Sequence, residues 1–174
     1  MEYKFITDEK EALEAVKKDG LNLAYVLNQT PEICITAVKQ NGLALQYVRN
    51  QTPEICLAAV KNYGYALEFV HEQTTELCLE VVKQYGMALT LVHNQTPEIC
   101  LTAVQEDGCA LVYVHNQTPK ICLHAVQQNG FALQYVHEQT PEICIAAVQE
   151  DKDALKYVRD KDLFYKLKSK YFKD

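Results

Sequence analysis

Residues 42–63 read GLALQYVRNQTPEICLAAVKNY, and nearly the same 22 residues return throughout the chain. The period is plain in Thr30, Thr52, Thr74, Thr96, Thr118 and Thr140, and again in Gly20, Gly42, Gly64, Gly86, Gly108 and Gly130. A fixed internal period outranks any single motif. Each unit is one supersecondary element, and it buries its apolar face only against its neighbours.

The second half of the quoted stretch predicts a helix. Thr52 is a preferred N-cap, because its hydroxyl accepts from the first-turn N–H groups. Pro53 at the first helical position loses no hydrogen bond. Glu54 then meets the positive end of the helix dipole. The pattern predicts a helix B over about 53–63, with Gly64 ending it in the left-handed conformation that suits a glycine cap. The next segment, YALEFVHE, gathers Ala66, Leu67, Phe69 and Val70 against Glu68 and Glu72, which predicts a helix A of about two turns. The brief alternation Leu67-Glu68-Phe69 leaves a strand–helix solenoid of the leucine-rich kind as the rival. That repeat wants an Asn ladder. The nearest row here reads Asn28, Asn50, Glu72, Asn94, Asn116 and Glu138.

The organisation follows. The chain is expected to be one all-α solenoid domain over 1–174, with about fifteen short helices. Residues 1–19 form the N-terminal cap, 20–151 six tandem repeats, and 152–174 a half repeat with a capping helix. Asp8 takes the Thr slot, and Glu11 stands where later repeats place an apolar residue, which suits an outermost layer. Thr75 replaces the N1 proline of the third repeat. The tail predicts a closing helix over about 162–172. Asp162 would be its N-cap, Leu163, Phe164, Leu167 and Tyr171 its buried stripe, and Lys166, Lys168, Lys170 and Lys173 lie mainly off that stripe. A basic amphipathic helix for a membrane surface or an acidic partner is the alternative reading of the tail.

Charge and composition narrow the classes. The 174 residues carry a net charge of −6, which argues against non-specific nucleic-acid binding. The balance is uneven: 152–174 carries +4 and the remainder −10. The opening MEYKFITDEKEALEAV has charges throughout and no apolar core, so no secretory signal or membrane span is expected. Seven cysteines without a signal point to a reducing, intracellular setting.

Four rows could carry chemistry. Cys34, Cys56, Cys78, Cys100, Cys122 and Cys144 recur one turn inside each helix B. Equivalent positions in stacked layers lie roughly 8–10 Å apart, too far for a disulfide or a shared zinc. They read as small buried hydrophobes, and Cys109, in a slot of apolar residues, reads as core too. Gln29, Gln51, Gln73, Gln95, Gln117 and Gln139 precede each Thr cap and read as ties across the A–B turn. Tyr25, Tyr47, Phe69, Leu91, Tyr113, Tyr135 and Tyr157 read as packing, since Phe and Leu substitute. The fourth row is Arg49, His71, His93, His115, His137 and Arg159. It lies three residues after a slot that changes in every repeat: Gln46, Glu68, Thr90, Val112, Gln134 and Lys156. Residues three apart share a helix face, so these twelve positions form the candidate binding face. Four imidazoles there would add positive charge below about pH 6.5.

No nucleotide loop, nucleophile–base pair or clustered carboxylates appear, so catalytic, cofactor and metal residues are expected to be none. A Cys122/His124 pair lacks a third partner.

The unit N-G-x-A-L-x-Y-V-x-x-Q-T-P-E-I-C-L-x-A-V-K-x-N, over about residues 8–160, resembles a family of short tandem repeats known as a domain of unknown function, number four-one-one-six. Such repeats are common in mimivirus-like giant viruses. The resemblance implies a helical repeat and, if the protein is viral, a host-cytoplasm setting. It implies no activity and carries no catalytic residue over. The near-identity of 40–60 and 128–148 looks like tandem duplication, and Lys152 and the stretch after it depart from the pattern. The expected function is a protein-interaction scaffold, monomeric or weakly self-associating, and not an enzyme. An acidic antagonist that occludes a host protein through Glu32, Glu54, Glu76, Glu98 and Glu142 is one alternative, and a self-assembling structural element is the other.

Overall fold

The computed structural model describes residues 5–172. Among them lie fifteen helices and one isolated parallel bridge, Ile6 with Val26. The helical solenoid is therefore the fold, and the strand–helix rival is not.

The chain divides into two compact units, Met1–Val81 and Val82–Asp174. The first holds α1 (Glu9–Lys18), η1 (Gly20–Tyr25), α2 (Pro31–Gln40), η2 (Gly42–Tyr47), α3 (Pro53–Asn62), η3 (Gly64–Phe69) and the start of α4 (Thr75–Gln84), where η marks a 3-10 helix. The second holds the end of α4, η4 (Gly86–Leu91), α5 (Pro97–Glu106), η5 (Gly108–Tyr113), α6 (Pro119–Gln128), η6 (Gly130–Tyr135), α7 (Pro141–Glu150), η7 (Lys152–Tyr157) and α8 (Lys161–Tyr171).

The α-helices before α8 begin as the sequence predicts. Thr52 Oγ1 accepts from Ile55 N–H at 3.3 Å, Thr140 Oγ1 from Ile143 N–H at 3.3 Å, and Asp8 Oδ1 from Glu11 N–H at 2.8 Å. Within α3, Ile55, Cys56, Ala59 and Val60 are buried. Spacing of i, i+1, i+4 and i+5 is one face of an α-helix.

Helix A is tighter than an α-helix. In η2 the bonds run i to i+3: Ala44 N–H to Asn41 O at 2.9 Å and Val48 N–H to Leu45 O at 3.0 Å. A six-residue segment closes more backbone bonds this way than with i to i+4 bonding, which is why short helices take the 3-10 form. Three residues per turn stack Gly42, Leu45 and Val48 into one buried ridge. Asn41 caps it, its Oδ1 accepting from Leu43 N–H at 3.0 Å.

The glycines do a different job from the one their position suggests. Among the described residues no glycine has positive φ, so no left-handed cap ends a helix B, and Tyr63 instead follows α3 as an extended C-cap. The reason for glycine is close approach to the next layer. A Cβ on Gly42 would lie 2.6 Å from Ala59 O, and one on Gly130 would lie 2.6 Å from Ala147 O.

The C-terminal end breaks register. The N-cap of α8 is Asp160, not Asp162: Asp160 Oδ1 accepts from Leu163 N–H at 2.8 Å. In earlier repeats the cap follows the buried valine by four residues, as Val48 to Thr52. Here Asp160 follows Val158 by two. The omitted residues include the Gln slot. Leu167 is buried, Leu163, Phe164 and Tyr171 are half-buried, and Lys166, Lys168 and Lys170 are exposed. Lys173 lies outside the described residues.

Candidate functional site

Separating the scaffold's own hydrogen bonds from what is left to a partner starts with the glutamines. Gln51 Nε2 donates to Phe69 O at 2.7 Å, and its Oε1 accepts from His71 N–H at 3.0 Å. Gln117 Nε2 donates to Tyr135 O at 2.9 Å and to Leu111 O at 3.3 Å, while its Oε1 accepts from His137 N–H at 2.9 Å. Gln95 and Gln139 repeat the pattern with Tyr113 and His115, and with Tyr157 and Arg159. The row is structural, as read: it closes its own A–B turn, as Gln117 and Gln139 do through Leu111 O and Leu133 O, and it also ties one repeat to the next.

The cysteines complete the same staple. Cys56 Sγ donates to Gln51 Oε1 at 3.5 Å, and Cys122 Sγ to Gln117 Oε1 at 3.5 Å. All six thiols of the row are buried and free. A small apolar side chain with a weak donor fits a core position beneath an amide oxygen. Cys109 corrects the sequence reading: it is half-buried, and its Sγ accepts from Asn129 Nδ2 at 3.4 Å. Among the described residues no three His, Cys, Asp or Glu side chains gather as a metal ion requires.

Burial pushes each of the six thiols above its ordinary pKa. An acid that holds its proton more tightly when folded contributes stability that is whole below its unfolded pKa and lost as pH rises through the folded value. The melting temperature is therefore expected to be flat from pH 7 to about 8.5 and to fall steeply above it. A variant with the six cysteines replaced by alanine should lose that fall. Calorimetry across the range checks both.

The candidate face divides by unit. In the first, Gln46, Glu68, Arg49 and His71 are all exposed. In the second, Thr90, Val112, Gln134 and Lys156 are exposed, as are His93, His115, His137 and Arg159. The changing slot lies within the 3-10 helix, one residue past a fully buried leucine such as Leu45. The Arg/His slot lies in the bend after the helix, beyond the extended valine cap. At Arg49, His71, His115, His137 and Arg159 the backbone N–H is held by the glutamine of the preceding repeat. Two members are further committed to the scaffold. Arg49 donates to Leu27 O at 2.6 Å and Val26 O at 3.0 Å, and Arg159 to His137 O at 3.1 Å. Both guanidinium groups cover the carbonyls that end the previous helix A.

Two features were missed in the sequence. Asp19, Asn41, Asp107, Asn129 and Asp151 cap their 3-10 helices through the side chain, but Tyr63 and Tyr85 in the same slot make no such bond. Tyr63 and Tyr65 are exposed, with ring centroids 5.7 Å apart. The loss of Asx from this slot was the available signal. The second feature is a cleft of about 510 Å³ in the first unit, where α3 and α4 begin. Pro53, Leu57 and Leu77 line it with His71, and Glu54, Glu72 and Glu76 add three carboxylates. The equivalent cleft where α2 and α3 begin holds about 110 Å³.

The family described as Domain of unknown function (DUF4116) matches residues 8–52, 30–75, 52–96, 96–139 and 118–163. The chain belongs to this family. Each matched frame begins on an N-cap, Asp8, Thr30, Thr52, Thr96 or Thr118, and spans two 22-residue repeats, so the DUF4116 frame starts where helix B starts. Comparison with curated proteins and with solved structures returns no match. No helix of the described residues is long and apolar enough to cross a membrane.

Proposed function

We propose that the chain is a scaffold that binds a protein partner, not an enzyme, in a reducing intracellular setting. The observation that carries this reading is the division of labour within each repeat. Glycine and glutamine are used up in the layer contacts and threonine in capping its own helix, while one exposed position per helix A, immediately beside a buried leucine, changes from each repeat to the next: Gln46, Glu68, Thr90, Val112, Gln134 and Lys156. Stacked repeats present such positions as an extended surface whose composition selects the partner. Val112 is 46 % exposed although apolar, which fits a contact position better than a solvated one.

The test is affinity capture from cell lysate with the wild-type chain beside Glu68→Lys/Val112→Lys/Gln134→Lys. The three side chains are exposed, so circular dichroism should be unchanged. A partner kept by the wild type and lost by the variant is the expected result. A partner held equally by both would move the binding surface elsewhere.

A further inference from the structure

The C-terminal helix carries a second, outward stripe. Lys161, Tyr165 and Lys168 fall at i, i+4 and i+7, one face of α8 on the side away from buried Leu167, and Phe172, the C-cap, follows four residues after Lys168. Tyr165 is 67 % exposed and Phe172 is 40 % exposed. Lys161 and Lys168 are exposed as well. A capping helix needs lysines for solubility, but it gains nothing from two exposed aromatic rings interleaved with them. The rings can fill a pocket while the flanking charges set its preferred sign.

The first unit contains a surface of the opposite kind. The cleft where α3 and α4 begin has apolar walls from Pro53, Leu57 and Leu77, and Glu54, Glu72 and Glu76, all exposed, beside them. At about 510 Å³ it lies within the range of pockets that bury a ligand group. Its lining contributes three carboxylates and no lysine or arginine. The chain's charge is split in the same sense, +4 over 152–174 and −10 over the rest.

We propose that the Lys161–Tyr165–Lys168–Phe172 stripe of one copy docks in the cleft of a second copy. Tyr165 would enter between the apolar walls, and the two lysines would pair with the glutamates. The contact joins two different surfaces, so it is heterologous and propagates from copy to copy unless a ring closes. It does not depend on capture of a foreign partner by the helix A face.

The test is sedimentation velocity of the full chain from low to high micromolar concentration, at about 50 mM and about 500 mM salt, where screening differs threefold in range. The wild type should grow in mass with concentration at low salt and much less at high salt. Lys161→Glu/Lys168→Glu and Glu54→Lys/Glu76→Lys should each weaken self-association about tenfold or more. Mixed together they should associate again, because each then offers the other a complementary surface. Lys120 already occupies the Glu54 slot in α6, so lysine at that position is compatible with the fold. A wild type that stays monomeric, a variant that associates as the wild type does, or a mixture that fails to recover would overturn the proposal.

Discussion

Gly42→Ala lowers the unfolding free energy by about 2–3 kcal/mol in the expected result, although alanine is the better helix former by about 1 kcal/mol. The added methyl would lie 2.6 Å from Ala59 O and 2.8 Å from Tyr63 Cβ. Ala59 O is backbone and already accepts the N–H of Tyr63 at 2.9 Å, so it cannot swing aside without disturbing the end of α3. Relief requires separating two layers, and in a stack each interface is a separate term in the stability. Gly42→Asn separates this cause from a conformational one. Asparagine tolerates the left-handed region, so if positive φ were the requirement it would do better than alanine. Close approach makes it no better. Lys152 supplies the internal control, because it occupies the glycine slot of the last half repeat and is exposed. Lys152→Ala should stay within about 0.5 kcal/mol of the wild type. Urea titrations of the four proteins, followed by circular dichroism, check the set. Equal effects at positions 42 and 152 would exclude the layer contact as the cause.

What the sequence revealed and what it hid follow from the same geometry. Thr52-Pro53-Glu54 is legible because a cap acts within four residues, and its bond to Ile55 N–H is where the pattern puts it. Gly42 and Gln51 are legible as punctuation, yet their partners are not. Ala59 O is seventeen residues from Gly42, and Phe69 O is eighteen residues from Gln51. A repeat of 22 places such pairs in adjacent layers, and the sequence alone does not say which atoms meet there. Asp162 misleads for a related reason. It lies one period after Thr140, but the last turn is shortened, and Asp160 takes the cap. The helix A type was hidden as well, since six residues satisfy α and 3-10 spacing almost equally and only the bond pattern distinguishes them. The variable slot of the candidate face needed no contact information, because it is defined by what changes between repeats. The cleft needed all of it: Glu54 and Glu76 share one slot of the repeat, Glu72 lies in another, and no period relates Glu72 to the other two.

Gln117→Leu should cost about 3 kcal/mol or more, as several polar groups lose their partner at once. The amide makes four contacts. It donates to Tyr135 O and Leu111 O, and it accepts from His137 N–H and the Cys122 thiol. Leucine fills a similar volume and answers none of them. Tyr135 O and His137 N–H belong to the following repeat, so the loss falls on the interface between layers rather than on one hairpin. Unfolding should become less cooperative as well as easier, because a weakened interface lets a stack come apart in sections. Gln117→Glu discriminates between the two halves of the staple. A carboxylate still accepts from His137 N–H and from the thiol, but it faces Tyr135 O without a proton to offer, so its cost should fall between the wild type and leucine. Cys122→Ala removes only the weak sulfur donor and a small volume, and Gln117 keeps its backbone partners; about 1 kcal/mol is expected. Gln46→Leu, at an exposed glutamine whose Nε2 bonds only within its own turn, to Leu43 O at 2.9 Å, should change little. Equilibrium denaturation of the series decides the matter. If Gln117→Leu and Gln46→Leu cost the same, the glutamine row is not what joins the repeats, and apolar burial along the buried ridges alone holds the layers together.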